Sequence, residues 1–197
     1  MIKEQFFPTI LYAKDIKLDN SFLEKEIIKW SEKDEGVIKS NVKGWHSHTN
    51  MHEISVFKIL VDELFKMQSE IFDEENLNGE PHLVDMWANI NSPGGYNKSH
   101  IQPNSHFSGV YYIKATKDSG DIVFNDPRST SHMAMPARKE GEPPKHLWRE
   151  VRVNPMVGRI IMFPAWLWHR VDINNTNDKR VSVSFNFSQR MVLWVKQ

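Results

Sequence analysis

The apolar residues in the first part of the chain recur at helical spacing. In residues 19–30 three apolar side chains share one face, and Ser21 followed by Glu24 has the form of a capping box. In residues 53–72 a longer apolar stripe leaves most of the charged residues outside it. We therefore predict two amphipathic helices, which follow an extended opening segment and are joined by a polar, Gly-containing loop over residues 32–52.

Beyond residue 80 the pattern changes to a period of two, which is typical of β-strands. Residues 83–90 carry apolar side chains on both faces, as expected of a strand that is covered on both sides. Further strands are predicted at 107–114, 121–125, 150–153, 159–163 and 180–188. Turn-forming residues separate them, among them Ser92-Pro93-Gly94-Gly95. Short strands with hairpin-length connections predict an antiparallel sandwich or barrel.

The strand predicted at 180–188 has two faces of opposite character. One face carries Val181, Val183, Phe185 and Phe187, and the other carries Arg180, Ser182, Ser184, Asn186 and Ser188. In an ordinary half-buried strand the polar face would meet solvent. Because two amphipathic helices need a sheet face to cover, we favour the alternative that they cover the apolar face while the polar face lines a cavity.

The chain length of 197 residues fits a single domain over residues 1–197. We expect residues 1–80 to form a helical support and residues 81–190 to form the β core. Residues 129–145 are rich in Pro, Ser and charged residues and are too long for a tight turn, so we interpret them as a lid or flap. The oligomeric state leaves no signal in the sequence.

The amino-acid composition limits the partners and the kinds of chemistry that are expected of this chain. Lysine and arginine together number 25, as do aspartate and glutamate, and this balance argues against nucleic acid or a membrane surface as a partner. The absence of cysteine excludes disulfides, thiolate metal sites and thiol nucleophiles. The sequence shows no signal-like or membrane-spanning apolar run, so a cytoplasmic location is expected.

Two of the nine histidines stand in apolar surroundings. His100 precedes a predicted strand, and His169 follows the aromatic-rich run GRIIMFPAWLW at the expected start of another strand. Most of the others lie in polar segments, where a surface or capping role is the simpler interpretation. An imidazole that is held by a hydrophobic, water-limiting shell is suited to bind a metal ion.

The spacing around these histidines matches a facial metal site. Non-heme Fe(II) takes a histidine, a second group two residues later on the same strand, and a distant histidine. Here these are His100, Gln102 and His169. Arg180 opens the strand with the polar face, and its guanidinium is suited to bind a carboxylate through two charge-assisted hydrogen bonds. The pattern predicts a dicarboxylate that binds the metal at one end and Arg180 at the other.

With these motifs in order along the chain, the sequence resembles the 2-oxoglutarate- and Fe(II)-dependent oxygenases, most closely the branch found in bacteria and phages and related to prolyl hydroxylases. The resemblance extends over nearly the whole chain, through FFPTILYA, SNVKGWHS, GGYNKSHIQPNSHFSGVYYIK, SGDIVFNDPR, GRIIMFPAWLWHRV and RVSVSFNFS. It implies a mainly β fold with flanking α-helices, namely a double-stranded β-helix (a cupin-like jelly roll) with the N-terminal helices packed on one sheet.

The resemblance also implies a chemistry. It assigns His100 and His169 to the metal and to catalysis, with Gln102 at the position of the third ligand, and Arg180 and Tyr112 to the far carboxylate of 2-oxoglutarate. Ser182, on the same face as Arg180, is placed to assist in binding that carboxylate. The implied activity is hydroxylation of a small metabolite or a peptidyl proline. Fe(II) and 2-oxoglutarate are the implied cofactors, ascorbate is a candidate reductant, and succinate and carbon dioxide are the products.

Gln102 departs from the family pattern, which has Asp or Glu at this position and in this branch often His. Its amide oxygen is neutral and is a weaker donor to Fe(II) than a carboxylate, so we expect a lower iron affinity. The alternatives are His106 or Asp126 as the ligand, or an open position such as halogenating relatives fill with a halide. No other feature of the sequence argues for halogenation.

Other residues in these motifs have simpler interpretations. Asp126 and Arg128 either hold a turn through their ion pair or contact a substrate. Trp45 is a candidate for lining an entrance. Three tryptophans are assigned to the core: Trp87, Trp166 and Trp168.

Two rival functions fit the pattern less well. A jelly-roll ligand-binding protein without turnover is favoured by Gln102, but it is opposed by the joint presence of the other assigned residues. A cupin-like metalloprotein that does not use 2-oxoglutarate leaves Arg180 unexplained.

Overall fold

The computed structural model describes residues 1–133 and 136–191, apart from the side chain of His132. Within these residues it contains two α-helices, α1 (Asn20–Ser31) and α2 (Lys58–Glu74), and nine β-strands. The strands are β1 (Tyr12–Asp15), β2 (Asn41–His46), β3 (Glu80–His100), β4 (Phe107–Lys114), β5 (Ile122–Asn125), β6 (Glu150–Val153), β7 (Arg159–Pro164), β8 (His169–Val171) and β9 (Arg180–Arg190). Short 3₁₀ turns cover Met51–Glu53, Ser55–Phe57, Ser129–His132 and Lys145–Leu147.

Both predicted helices form, but each begins differently from the prediction. The side chain of Asp19 accepts a hydrogen bond from the Phe22 backbone N–H at 3.0 Å and caps α1. The predicted capping box is therefore wrong, since Ser21 lies inside the first turn. Helix α2 begins at Lys58, later than predicted, because the extended backbone of Ile54 separates two 3₁₀ turns before it. No helix within the described ranges combines the length and apolar character needed to cross a bilayer.

The strands form a single curled sheet in the order β1-β7-β4-β9-β3-β8-β5-β6, with β2 added alongside β3. Their ladders are antiparallel. The long β3 joins the two layers of the sheet, because its first part pairs with β9 and its last residues pair with β8. The fold is therefore a jelly roll, mainly β with flanking helices, and the predicted fold class is confirmed.

Residues 92–95, predicted as a turn between strands, lie within β3 and form its bend. β2 pairs with β3 on both sides of them, and the register shifts across them. Gly94 has a φ of +77°, which favours glycine, and a Cβ on Gly95 would lie 2.6 Å from the backbone oxygen of Lys43. The turn-forming residues thus let one strand pass from one layer to the other.

The helices cover one face of the sheet. Buried residues of α1 and α2 pack in one cluster with the apolar face of β9, including Leu23, Ile27, Leu60, Leu64, Ile71, Val181, Val183, Phe185 and Phe187. A second cluster lies between the layers and joins β4, β5 and β7. The predicted placement of the apolar face of β9 under the helices is confirmed.

Two strands lie outside the predicted elements, β1 and β2, whereas β8 begins at His169, where the start of a strand was predicted. β2 falls in the segment predicted as a loop. Its residues, NVKGWH, lack a regular apolar alternation, and the strand forms by pairing with β3. Residues 1–80 consequently supply two strands to the sheet as well as the helices.

Candidate active site

A cavity of about 630 Å³ opens between the two layers of the sheet. Inward-facing residues of β3 and β9 form much of its wall: Asp85, Trp87, Asn89, Arg180, Ser182, Ser184 and Asn186. The prediction that the polar face of β9 lines a cavity is confirmed for four of its five residues, the exception being Ser188. His100, Gln102 and His169 line the same space, so it gathers all the predicted site residues except Tyr112, which lies against Arg180.

His100 and His169 lie side by side where β3 ends and β8 begins. They are register partners, and their ring centroids are 4.4 Å apart. The Nδ1 of His100 lies 2.7 Å from the Lys98 carbonyl oxygen, and the Nδ1 of His169 lies 2.8 Å from the Leu167 carbonyl oxygen. Since a carbonyl oxygen only accepts, each Nδ1 carries the proton and each Nε2 presents a lone pair. The pair is suited to bind one metal ion.

Burial keeps both imidazoles uncharged. It lowers the pKa of His169 to about 4, with a smaller contribution from the nearby His100. Burial also lowers the pKa of His100. Phe163 packs edge-on against the His169 ring at a centroid distance of 4.7 Å. Because the neutral imidazole is the form that binds a metal, these apolar surroundings favour ligation at neutral pH.

The Gln102 side chain is held by Asn186. Asn186 Nδ2 donates to Gln102 Oε1 at 3.4 Å and to Asp85 Oδ1 at 2.7 Å. The orientation of this amide is fixed by the Ser108 hydroxyl, which donates to Asn186 Oδ1. Among the described residues, no group of three His, Asp or Glu side chains is arranged to hold a metal ion. The described residues therefore offer no carboxylate as a third ligand grouped with the histidine pair, and Gln102, which lines the same cavity, is the candidate.

Arg180 is buried at the opposite end of β9 from Asn186, with only 2% of its surface exposed. Its Nη1 donates to Asn91 Oδ1 at 3.1 Å and to Ser182 Oγ at 3.0 Å. Burial lowers its pKa, and no carboxylate in the described part of the chain balances its charge. A buried cation without a counterion is costly, so this end of the cavity favours an anionic ligand.

Tyr112 adds a second polar group beside this cation. The Arg180 guanidinium lies 5.2 Å from the centroid of the Tyr112 ring. Burial raises the pKa of Tyr112, and the positive charge of Arg180 opposes that effect in part. Despite this proximity, the Tyr112 hydroxyl and Arg180 Nε have no partner at hydrogen-bonding geometry among the described residues. A carboxylate that reached both atoms would satisfy two buried donors, so the residues present fit a dicarboxylate.

The family model described as "Putative 2OG-Fe(II) oxygenase" matches residues 85–186, which is more than half of the chain and includes the histidine pair, Gln102 and Arg180. The chain belongs to this family of 2OG-Fe(II) oxygenases. No curated protein sequence matches the oxygenase.

Solved structures share its fold at low sequence identity. The prolyl-4-hydroxylase of Pseudomonas putida is 13% identical, with a TM-score of 0.64 over 92% of this chain and 94% of that one. The epimerase SnoN from nogalamycin biosynthesis is 12% identical, with a TM-score of 0.69 over 92% and 79%. HygX from Streptomyces hygroscopicus is 10% identical, with a TM-score of 0.63 over 92% and 83%. These likenesses show the fold of the oxygenase.

The oxygenase cavity contains two aromatic side chains that were assigned elsewhere from the sequence. His46 is buried and stacks on Trp87, with ring centroids 5.4 Å apart and an interplanar angle of 9°. His46 and Trp87 both line the cavity, whereas Trp45, the candidate for the entrance, does not. Trp45 packs on Trp30 and donates to the Asp34 carbonyl oxygen at 2.8 Å. Neighbouring side chains of a strand point to opposite faces, so Trp45 and His46 are separated by the formation of β2, which the sequence pattern did not indicate.

His106 and Asp126, the alternative ligands, do not line the cavity of the oxygenase. His106 Nδ1 lies 3.3 Å from the Ser188 hydroxyl oxygen. Arg128 donates from Nε and Nη2 to the two carboxylate oxygens of Asp126, each at 2.9 Å. The interpretation of Asp126 and Arg128 as a turn held by an ion pair is confirmed, and neither alternative ligand joins the histidine pair.

The assignment of Trp166 and Trp168 to the core is wrong. Their side chains are 53% and 51% exposed, whereas Leu167 between them is buried in the inner cluster. In the tripeptide Trp166-Leu167-Trp168 only Leu167 is buried, so the hydrophobicity of these three residues overstated their burial.

Residues 129–145 contribute no described residue to the cavity wall. Ala134 and Met135 lie outside the described residues. The lid or flap therefore stays a prediction.

Proposed function

We propose that the protein uses Fe(II) and 2-oxoglutarate to hydroxylate a small-molecule or peptide substrate, with release of succinate and carbon dioxide. One observation carries this proposal: two neutral imidazoles and a buried arginine without a carboxylate partner face the same cavity. A metal would occupy the lone pairs of the two imidazoles, and a dicarboxylate would supply the missing negative charge beside the arginine. The SnoN complex with Fe3+ and alpha ketoglutarate, and the HygX complex with nickel and 2-oxoglutarate, support the same pairing.

In this proposal the Nε2 atoms of His100 and His169 hold the iron, and Gln102 Oε1 completes the metal-binding face. The carbonyl partners of both Nδ1 atoms keep the imidazoles oriented. Gln102 Oε1 has a second lone pair besides the one that Asn186 occupies, so it is able to ligate without losing that contact. Because an amide is neutral, the proposed site binds iron more weakly than one with a carboxylate.

The far carboxylate of 2-oxoglutarate would bind Arg180, Tyr112 and Ser182. Arg180 Nε and the Tyr112 hydroxyl are buried donors without partners, and Ser182 already contacts the guanidinium. When bound, iron and 2-oxoglutarate would supply the dioxygen-dependent oxidation of a substrate C–H bond, with ascorbate as a candidate reductant. The protein itself orients the cofactor and, through Phe163 and its neighbours, limits water around the histidines.

The test begins without oxygen. Fe(II) and 2-oxoglutarate are added to the protein under anaerobic conditions, and the visible metal-to-ligand charge-transfer band is recorded. Oxygen is then admitted and succinate is assayed. We expect a band and succinate from the wild type, and a stronger band at limiting iron from Gln102→Asp. Absence of the band from both proteins would contradict the proposal, whereas a band without succinate would favour a binding protein that has lost turnover.

A further inference from the structure

The wall of the cavity changes from cationic to anionic along two paired strands. At one end of the pairing Arg180 on β9 lies opposite Asn91 on β3, and at the other end Asn186 lies opposite Asp85. The stretch of β9 between these pairs spans about 20 Å. A dicarboxylate bound at the Arg180 end therefore leaves the Asp85 end of the cavity for another molecule.

Asp85 is the only Asp or Glu among the described residues that line this cavity. Its Oδ1 accepts a hydrogen bond from Asn186 Nδ2 at 2.7 Å. Within the described chain, no Lys or Arg forms an ion pair with it, and Oδ2 has no hydrogen-bond partner although it is not sealed from the cavity. Burial raises the pKa of Asp85, opposed by the Asn186 hydrogen bond and by a smaller effect of His52. The carboxylate thus has one oxygen free to bind a donor.

Trp87 lies two residues along β3 from Asp85, on the same face of the strand, and its side chain also lines the cavity. Its ring is fixed by the stack with His46. A carboxylate beside an indole is a combination that recognises organic cations, since the acid supplies a charged hydrogen bond and the ring supplies a cation–π or apolar contact.

We propose that Asp85 determines substrate specificity by binding a protonated amine of the substrate, with Trp87 packed against the carbon skeleton beside it. This inference rests on the proposed function, in which Arg180 is occupied by 2-oxoglutarate. It narrows the substrate class to amine-bearing small molecules or peptides.

Two lysines also line the cavity and would oppose a cation if they lay close to it. Lys39 and Lys98 are both exposed. The backbone N–H of Lys98 donates to the Ser40 carbonyl oxygen at 2.8 Å, so the two lysines lie near each other in the wall. Water and salt screen charges at such exposed positions more than at the partly buried Asp85. Their charge suits a separate anionic group on the same substrate.

The test compares matched ligands on the anaerobic Fe(II)–2-oxoglutarate complex. Primary amines are paired with their hydroxyl isosteres, beginning with phenethylamine against phenethyl alcohol and cyclohexylamine against cyclohexanol. The set is screened by thermal shift, and dissociation constants are measured by calorimetry. We expect the wild type to prefer amines by about tenfold and Asp85→Asn to lose that preference, since the asparagine keeps the Asn186 contact but not the charge. Equal binding of amines and isosteres by the wild type, or a preference that survives in Asp85→Asn, would overturn the inference.

Asp121→Asn is the matched control. Asp121 also accepts a hydrogen bond from an asparagine side chain, Asn154 Nδ2 at 2.6 Å, but it does not line the cavity. It should keep the amine preference. Titration of 2-oxoglutarate into each protein separates the two proposals. If the wild type binds no 2-oxoglutarate, the proposed function fails. If it binds 2-oxoglutarate without a preference for amines, only the assignment of Asp85 fails.

Discussion

The two faces of β9 show how one strand serves two purposes. Toward the helices it presents Val181, Val183, Phe185 and Phe187, all without exposed surface, whereas toward the cavity it presents Arg180, Ser182, Ser184 and Asn186. The first set gains its stabilisation from removing apolar surface from water. In the second set Arg180, Ser182 and Asn186 are buried and Ser184 is partly buried, and their polar groups line the cavity. Substitutions on the apolar face of β9 should therefore act mainly on stability, and substitutions on the cavity face should act mainly on ligand binding. Because the two faces alternate, neighbouring residues of β9 should differ in which property they affect.

Phe185→Ala should have the largest effect on stability. Phe185 is fully buried in the cluster formed with α1 and α2, so its removal leaves a cavity that the helices and sheet fill only in part. We expect a loss of about 3–5 kcal/mol in the free energy of unfolding, measured by urea denaturation. Phe22→Ala, at an α1 residue that is 44% exposed, is the control and should cost much less. Similar losses from both variants would contradict the separation of the two faces.

Arg180→Met, at the start of the same strand, should weaken ligand binding without a loss of stability. It removes a buried cation that has no carboxylate partner in the described chain, so stability should stay unchanged or rise. Affinity for 2-oxoglutarate should fall by about a hundredfold, because a charge-assisted, bidentate interaction is lost. Calorimetric titration and the unfolding midpoint measure the two effects.

Arg159→Met is the matched control for Arg180→Met. Arg159 pairs with Asp15 at the surface, with distances of 2.7 and 2.8 Å, and it lies outside the cavity. It should bind 2-oxoglutarate as the wild type does. A large loss of stability in Arg180→Met, or an equal loss of affinity in both variants, would show that Arg180 serves the fold rather than the ligand.

Alternation explains how much of this arrangement could be predicted from sequence. β9 alternates apolar and polar residues from Arg180 to Ser188, so both of its faces were predictable, including the cavity on the polar side. β2 has no such alternation, and it exists because β3 offers an edge to pair with, which local sequence does not record. His46 was missed for that reason.

Polar residues that face the cavity differ in how well the sequence predicts them. His100 and His169 were recognisable by their apolar surroundings, and Arg180 by its place at the head of β9. Asn186 was placed on the cavity face of β9, but Asp85 was not recognised, because an inward polar residue on a strand has the same local pattern as one that faces solvent. The pairing of β3 with β9 brings Asp85 opposite Asn186, and local sequence does not record this pairing.

Gln102→Asp should raise the affinity of the cavity for a metal ion. Replacing a neutral amide oxygen with a carboxylate should raise the affinity for Fe(II), or for Mn(II) as a stable substitute, by about tenfold, which is about 1.4 kcal/mol. Asn186 Nδ2 can still donate to the new carboxylate, so the fold should tolerate the change. Gln102→Leu is the comparison variant and should bind the metal no better than the wild type. Equal metal affinity in all three proteins would show that residue 102 does not contact the metal.

Ser184→Ala should have the smallest effect on stability. Ser184 is one residue before Phe185 and lies on the other face of β9. The Ser184 hydroxyl accepts a hydrogen bond from Asn89 Nδ2 at 3.0 Å, and the net contribution of such a bond to stability is about 1 kcal/mol. Asn89 Oδ1 is already buried without a partner among the described residues, so this amide tolerates incomplete hydrogen bonding beside a cavity that has room for water. Urea denaturation should thus give a loss of about 1 kcal/mol or less. A loss comparable with that of Phe185→Ala would mean that the polar row itself stabilises the sheet, and the two faces of β9 would then differ in chemistry but not in purpose.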